Sequence, residues 1–383
     1  MDIGGNVNAY YTSTRLTGDK TAGYATFWAG EGQGDALSAK SSDNKTQNNI
    51  TTGLLPNYLT VSGKTRQNDL DVSFLISINP GTSTTVGGIQ SANQENRQAF
   101  MTFGDKSWGE IKLGKDLGIY ASDAILNDMT LLGVGSGAGG LAGNTTTTGR
   151  IGTGFMYADW KGQVAYTTPN WNGFQATVGV TQAFNAQALG STSLGSVGRG
   201  GSTPAFEGKV SYSWTGDVSG KIWASGIQQK FTDIGTATDA YGSDTMRSYD
   251  AGASVSVGAL NLVGYLYDGE GIGQTIQGHG GVGRLGKLRD SKGGYVQAKY
   301  TLPTNTTLGI SWGQSRLETV DASDVIATGQ AGKDLKDRMW AVGAYHALTK
   351  NLNLVAEYSD VKSEVGSLEG KGRTASLGAI LFF

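Results

Sequence analysis

The chain has 383 residues with 61 glycines, 5 prolines and no cysteine, and its formal net charge is -2. The lack of cysteine excludes a disulfide framework and a thiolate metal site, and the balanced charge provides no basic footprint for nucleic acid. Much glycine with little proline, mixed with Tyr, Trp, Val, Thr and Ser, is typical of strands and turns, and no change of composition marks a linker. We therefore expect one all-β domain that spans residues 1–383.

A membrane crossing by helices is excluded, because no apolar run approaches the roughly 18 residues that a spanning helix needs. Transmembrane barrels share this property, since their strands place lipid-facing side chains only at every second position. Met1-Asp2-Ile3-Gly4 leads directly into such an alternation without a secretory signal, so we interpret the sequence as a mature chain.

Strand patterns follow one another along the chain, and the segments between them alternate between short polar turns and long loops rich in Gly, Ser, Thr and Asn. The predicted strands, about sixteen in number, are Ile3–Thr14, Ile50–Thr65, Leu70–Asn79, Gln98–Gly104, Glu110–Gly118, Gln163–Thr168, Phe174–Ala183, Phe206–Thr215, Gly220–Phe231, Ser248–Val257, Leu260–Tyr267, Tyr295–Leu302, Thr307–Leu317, Arg338–Leu348, Leu352–Val361 and Arg373–Phe383. Short turns at one rim and long loops at the other are the layout of a transmembrane antiparallel β-barrel with a wet lumen.

The last strand ends the chain on an aromatic residue. Its apolar residues Leu377, Ala379 and Leu381 alternate with Ser376 and other small residues, which predicts one face toward lipid and one toward water. Lipid cannot satisfy an open strand edge, so the barrel must close onto this strand. Aromatic residues near strand ends fit girdles at the two membrane interfaces: Tyr11, Trp108, Tyr166, Trp171, Tyr212, Trp214, Tyr300, Trp312, Trp340, Tyr345 and Tyr358.

Three pieces of the sequence carry a resemblance to a known family. They are Phe103–Gly118 (FGDKSWGEIKLGKDLG), Tyr166–Phe174 (YTTPNWNGF) and the terminal Phe383. With them, nearly the whole chain resembles the trimeric general porins of Gram-negative outer membranes. The resemblance implies a homotrimer in membrane lipid, with short periplasmic turns, long extracellular loops and a third loop that folds into the lumen. It also implies that Phe383 is the signal read by the outer-membrane barrel-assembly machinery.

The third loop of such porins narrows the barrel, and acidic residues on the loop face basic residues on the wall. Here the matching loop runs from residue 117 to 160 and carries Asp123 and Asp128, with Asp116 just before it. A loop of this length without strand pattern is typical of a functional element. The resemblance therefore implies that these three acids lie at the pore constriction.

Strand alternation selects the charged residues that face the lumen. The predicted inward bases are Lys64, Lys112, Lys209, Lys230 and Lys299, and the predicted inward acids are Glu110, Glu207 and Glu357. Two alternatives stay open: the loop's apolar residues only pin it to the wall while its acids are solvated, and any single lysine is a rim charge. The arginine cluster usual in the family is not evident, so the sequence leaves the sign of the charge selectivity open.

Chemistry of other kinds finds little support. Two glycine-rich stretches, Gly281–Gly286 and Gly109–Lys115, approach nucleotide-binding motifs, but neither lies in a strand–loop–helix unit. The two histidines, His279 and His346, are too few for a histidine-based metal site, and no Ser-His-Asp set can be argued from position. We therefore expect no enzyme activity, no cofactor and no metal.

The sequence predicts a passive diffusion channel through which small hydrophilic solutes and ions cross the outer membrane down their gradients. One alternative is a substrate-preferring porin with a solute site, for which Tyr265 and Tyr267 are weak indications. A second is an adhesin or β-solenoid, which would need a fixed repeat length that the unequal loops do not show. A third is a barrel enzyme such as an outer-membrane lipase or protease.

Overall fold

The structure, a computed structural model, describes residues 1–18, 46–82, 94–136, 156–183, 203–235, 240–274, 277–278, 280–326 and 329–383. Two of the sequence predictions, His279 and the 137–155 part of the third loop, lie outside these residues.

The described residues form eighteen strand segments. In chain order they are β1 (Asp2–Gly18), β2 (Thr46–Thr51), β3 (Tyr58–Gln67), β4 (Leu70–Pro80), β5 (Gln94–Glu95), β6 (Ala99–Asp105), β7 (Gly109–Leu117), β8 (Trp160–Thr167), β9 (Phe174–Thr181), β10 (Ala205–Trp214), β11 (Val218–Gly235), β12 (Ala240–Val257), β13 (Leu260–Glu270), β14 (Asp290–Thr301), β15 (Thr306–Leu317), β16 (Leu335–Ala347), β17 (Leu352–Val365) and β18 (Leu368–Phe382). Helix α1 (Ser122–Leu126) and a 3-10 helix (Met129–Leu132) follow β7, and a 3-10 turn (Arg284–Gly286) lies between β13 and β14. None of the described helices has the length and hydropathy to span a membrane.

The sheet closes into a barrel. Neighbouring strands pair antiparallel along the chain, and β1 pairs with β18 between residues 6–18 and 370–382. Two wall strands consist of two segments each, because β2 and β3 both pair with β1, while β5 and β6 both pair with β4. The described segments therefore form a closed antiparallel barrel of 16 wall strands. This confirms the predicted fold.

The second predicted strand, Ile50–Thr65, is wrong at its centre, where the ladder breaks between β2 and β3. Pro56 in this break has no backbone N–H to donate to a ladder. Asn8 on β1 supplies substitute partners: its N–H donates to Asn57 Oδ1 at 2.6 Å, and its own Oδ1 accepts from the Gly53 N–H at 2.8 Å. The six residues between β2 and β3 therefore leave the ladder, but Asn8 of β1 keeps hydrogen-bond partners among them.

The two rims differ, as expected, but not at every connection. At one rim the strands are joined by short turns such as residues 68–69 and 258–259. At the opposite rim most connections are long, yet β17 and β18 are joined only by Gly366 and Ser367. Both strands extend beyond their predicted ends, so the loop expected before Arg373 is largely strand.

The inner and outer faces of the wall alternate as the sequence predicts. On β18, Leu377 is 64% exposed on the outer face, whereas Ser376 is buried on the inner face. On β11 the inner face also carries apolar residues: Trp223, Ile227 and Phe231 are buried in a hydrophobic cluster that includes residues of the loop after β7. The largest apolar core therefore lies inside the barrel, between the wall and this inward-folded loop.

Gly378 on β18 lies opposite Tyr10 at the strand pair that closes the barrel. A Cβ atom at this position would lie 2.2 Å from the Ala9 carbonyl oxygen and 2.5 Å from Tyr10 Cδ1. Gly264 on β13 is a matched control, because a Cβ there would meet no atom within 4 Å.

We expect Gly378→Ala to lower the free energy of unfolding of the detergent-folded barrel by about 1–3 kcal/mol, because the added methyl group has no space at the seam. Gly264→Ala should leave it nearly unchanged. Urea titration read by the mobility shift of unheated protein in gel electrophoresis measures both. Equal stability of the two variants would contradict the crowded seam.

Candidate functional site

The third loop, residues 118–159 between β7 and β8, enters the barrel lumen immediately after β7. The N–H groups of Ile119 and Tyr120 both donate to Glu207 Oε2 on β10, each at 2.8 Å. The other carboxylate oxygen of Glu207 accepts from Thr181 Oγ1 at 2.7 Å and from Lys161 Nζ. The side chains of Lys161 and Glu207 are both 0% exposed. The start of the loop is therefore held by a fully buried ion pair.

The middle of the loop is held by polar side chains of the inner wall. The Ala121 N–H donates to Ser225 Oγ on β11 at 3.1 Å. The Ala124 carbonyl accepts from Tyr295 Oη on β14 at 2.8 Å. Gln297, two residues along β14, binds on both sides of the next turn, accepting from the Met129 N–H at 2.7 Å and donating to the Asn127 carbonyl at 2.9 Å.

The segment of the loop around Val134 repeats the arrangement of its start. The N–H groups of Val134 and Gly135 donate to Glu357 Oε2 on β17 at 2.7 and 2.9 Å. Tyr345 Oη on β16 donates to the other oxygen of Glu357 at 2.6 Å. Tyr10 Oη on β1 donates to the loop carbonyl of residue 132 at 2.6 Å.

These contacts place the described part of the loop along the inner faces of β10 to β17 and of β1. The loop also pairs with the bulge between β2 and β3, through the Leu54 N–H to the Gly133 carbonyl at 2.8 Å. Charged and polar side chains of the inner wall remain accessible beside the described part of the loop, and they line the part of the lumen that the loop leaves open. We call this space the passage.

Asp123 on α1 lies between two lysines of the wall. Lys209 Nζ on β10 is 3.0 Å from its carboxylate and also donates to Ser122 Oγ at 2.8 Å. Lys221 Nζ on β11 donates to the other carboxylate oxygen. Burial pushes the pKa of Asp123 up, but the two ammonium groups outweigh it and hold the pKa below its ordinary value. Asp123 is therefore an ionised link between the loop and the wall.

Asp128 is buried and binds within its own loop. Its Oδ1 accepts from the N–H and from the hydroxyl of Thr130, both at 2.9 Å, and so caps the 3-10 helix. Burial raises the pKa of Asp128 to about 6, and the Thr130 contacts and the charge of Lys299 offset this only in part. Lys299 lies on the inner face of β14, two residues beyond Gln297.

Asp116 is part of the wall rather than of the loop. Its carboxylate on β7 accepts from Lys112 Nζ at 2.5 Å and from Gln98 Nε2 at 3.0 Å. Lys112 Nζ also lies 4.8 Å from the centroid of the Phe100 ring, within the range of a cation–π contact. Asp116 and Lys112 therefore both lie on β7 of the wall, and their side chains contact each other.

Lys64 is exposed on the inner face of β3. It lines an open polar cavity of about 510 Å³ at the rim of short turns, together with Asp71, Ser73, Thr102 and Glu110. The predicted inward acids therefore separate into two groups. Glu110 is exposed at this rim, whereas Glu207 and Glu357 are buried under the third loop and hold it in place.

The inward prediction for Lys230 is wrong. Glu207 pairs with Ile227, so the inner face of β11 carries the odd-numbered residues, and Lys230 is exposed on the outer face. The error arises because the apolar residues Trp223 and Ile227 face inward here and pack against the loop, whereas the prediction assigns apolar residues to the outer face. Lys221, which does face inward and contacts Asp123, was not among the predicted residues. Counting back from the Glu207–Ile227 pair would have identified it.

Phe383 lies at the closing seam. Its N–H and carbonyl exchange two hydrogen bonds of 3.0 Å with Gly5 on β1. The last residue is therefore fixed by backbone pairing, and its proposed reading by assembly machinery stays a prediction. Within the described residues, no group of three or more His, Cys, Asp or Glu side chains could hold a metal ion.

Glu207 and Glu357 hold the loop alike but differ in their ion pairing, because Glu207 pairs with Lys161, while Glu357 makes no ion pair within the described residues. We expect Glu207→Gln to lower the free energy of unfolding by about 3–5 kcal/mol, since it removes the carboxylate from a fully buried ion pair with Lys161. Glu357→Gln keeps an acceptor oxygen and should cost only roughly 1–2 kcal/mol. Urea titration of both folded variants tests this. Equal losses of unfolding free energy in the two variants would contradict the assigned difference in ion pairing.

The raised pKa of Asp128 predicts pH-dependent protection of the 3-10 helix. The pKa of Asp128 has its ordinary value of 3.8 while the loop is open and rises to about 6 when the loop closes. Closure of the loop therefore favours the protonated acid. The contribution of Asp128 to the stability of the closed loop is fully present below pH 3.8. It is lost as the pH rises toward about 6, and the free energy of loop opening falls by up to roughly 3 kcal/mol. Hydrogen exchange of the helix amides, corrected for intrinsic rates, measures this. Asp128→Asn keeps the cap and should abolish the dependence; a dependence retained in that variant would refute the assignment.

The geometry agrees with comparisons to known proteins. A sequence model described as Gram-negative porin matches residues 3–366. A search of curated proteins gives no significant match. Among solved structures, the chain is similar to an anion-selective porin from Comamonas acidovorans, at 16% identity and a TM-score of 0.61, with 100% of this chain and 99% of that one covered.

Two further structures have the same fold. The outer membrane channel DcaP of Acinetobacter baumannii is 14% identical, with a TM-score of 0.66 over 100% of this chain and 96% of that one. The trimer form of OmpT, an outer membrane protein of Vibrio cholerae, is 12% identical, with a TM-score of 0.52 over 98% and 100% of the two chains. At these identities the likeness is one of fold. Because the family match extends over nearly the whole of this closed barrel, the chain belongs to the Gram-negative porin family and is a channel of the outer membrane.

Proposed function

We propose that this porin is a passive diffusion channel for small hydrophilic solutes and ions, narrowed by its third loop. The observation that carries the proposal is the attachment of that loop to both Glu207 and Glu357, on opposite parts of the wall, by pairs of backbone N–H groups. A loop held at both places keeps the passage narrow without a bound ligand. Solutes are then sorted by size and by the charges around them.

The charged lining that we propose for the constriction follows the contacts described above. It consists of Asp116, Asp123, Asp128, Lys112, Lys209 and Lys299, with Lys221 in place of Lys230, while Lys64 lines the approach to it at the rim of short turns. Three of these residues form one cluster, since Lys209 and Lys221 share Asp123. The cluster joins the loop to the wall, so it sets both the width and the field of the passage.

We further propose a homotrimer in membrane lipid. Support comes from the solved trimer form of OmpT, which shares the fold. It also comes from the outer face of the wall, where large apolar side chains such as Ile3, Val7 and Leu377 are more than half exposed. Such a belt needs lipid or another subunit to cover it. Recognition of Phe383 by the barrel-assembly machinery belongs to the same proposal.

Reconstitution in a planar lipid bilayer tests the channel. We expect ohmic conductance that appears in steps of three equal levels, one for each subunit of a trimer. In a companion liposome-swelling assay, the rate should fall smoothly with the size of neutral sugars and should not saturate with concentration. Saturation would favour a substrate-preferring porin. Protein that is folded by its gel mobility but gives no conductance would refute the proposal.

A further inference from the structure

Exposure separates the lysines of the passage from its acids. The side chains of Lys112, Lys209 and Lys221 are 30%, 21% and 33% exposed. The carboxylates that they contact are much less accessible, with Asp116 at 10% and Asp123 at 4%. Ions in the passage therefore meet ammonium groups before they meet carboxylates.

The other acids near the passage are also turned away from it or balanced. Asp128 is buried and its carboxylate caps the loop's own 3-10 helix. Glu110 and Asp71 are accessible, but both lie at the periplasmic rim, where Lys64 lines the same cavity and Arg66 is 3.2 Å from Asp71. Asp159, the last residue of the loop, is half-buried and accepts from the Trp160 N–H at 2.6 Å, while the accessible charges in contact with α1 are the ammonium groups of Lys209 and Lys221.

In the cluster around Asp123, two ammonium groups share one carboxylate, and Asp250, the neighbouring acid on β12, is 4% exposed and accepts from Ser225 Oγ. Lys299 adds a further base on the same inner wall. Lysine is a compact, strongly hydrated charge on a flexible stem, so these groups attract anions into the passage without binding them tightly. Weak attraction of this kind is what a conducting channel requires.

We propose that the channel prefers small anions, such as chloride, inorganic phosphate and short carboxylates, over cations. This rests on the proposed function, since a preference can be expressed only by an open passage. Lys209 and Lys221 are the residues that set it, and the loop acids reduce the preference without reversing it.

The test is the reversal potential of single channels in a planar bilayer under a gradient of potassium chloride. We expect the sign of chloride selectivity, and we expect Lys209→Gln combined with Lys221→Gln to lower the chloride-to-potassium permeability ratio at least about twofold. Lys230→Gln is the matched control, because this lysine of β11 is on the outer face. It should leave the ratio unchanged.

A second variant keeps the test decisive if the double variant fails to fold. Lys64 makes no ion pair with the described residues, so Lys64→Gln cannot loosen the loop, and it should lower the ratio by a smaller factor. The preference should also weaken from about 0.1 M to 1 M salt, because the screening length shortens from about 10 Å to 3 Å.

The outcomes are distinct. A cation-selective wild-type channel would overturn the anion preference but leave the diffusion channel intact. A ratio that does not respond to the loss of Lys209 and Lys221 or of Lys64, or that responds equally to the loss of Lys230, would overturn their assignment. Absence of any conductance from folded protein would refute the channel itself.

Discussion

The pairing of β1 with β18 is the constraint on which the rest of the structure depends. In a bilayer, every backbone N–H and C=O of the wall needs a partner within the protein, and only a closed sheet provides one for each strand. The seam extends over residues 6–18 and 370–382 and ends in the exchange between Gly5 and Phe383. Once the wall is closed, its inner face is free to carry polar and charged side chains.

The described part of the third loop belongs to no strand, so many of its backbone N–H and C=O groups bind the inward side chains of the wall instead. Two buried glutamates, Glu207 and Glu357, each accept from two consecutive N–H groups of the loop, which a carboxylate oxygen does well because the bonds are charge-assisted. Ser225, Tyr295 and Gln297 serve the segment between them. The glutamates that bind the backbone of the loop are buried, whereas the partly exposed Lys209 and Lys221 hold the loop through the side chain of Asp123.

Alternation along the chain was sufficient to predict the wall, the closing strand and the inward position of Lys64, Lys112, Lys209 and Lys299. It failed for Lys230, because polarity marks the inner face only where that face is wet, and Trp223, Ile227 and Phe231 on the inner face of β11 are packed dry beneath the loop. The partners of the loop could not be predicted at all. Glu357 and Val134 are 223 residues apart, and no local pattern relates them.

That separation in sequence has a consequence for the order of folding. The loop leaves β7 early in the chain, but its segment around Val134 is held by Glu357 on β17, which Tyr345 on β16 supports. Contacts between such distant residues form late because their loop-closure entropy must be overcome. We infer that a growing barrel which still lacks its final strands already has β7 and β8, but that its loop still lacks the contacts that residues 134 and 135 make with Glu357. Assembly of the last strands into the wall therefore also completes the narrowing of the channel.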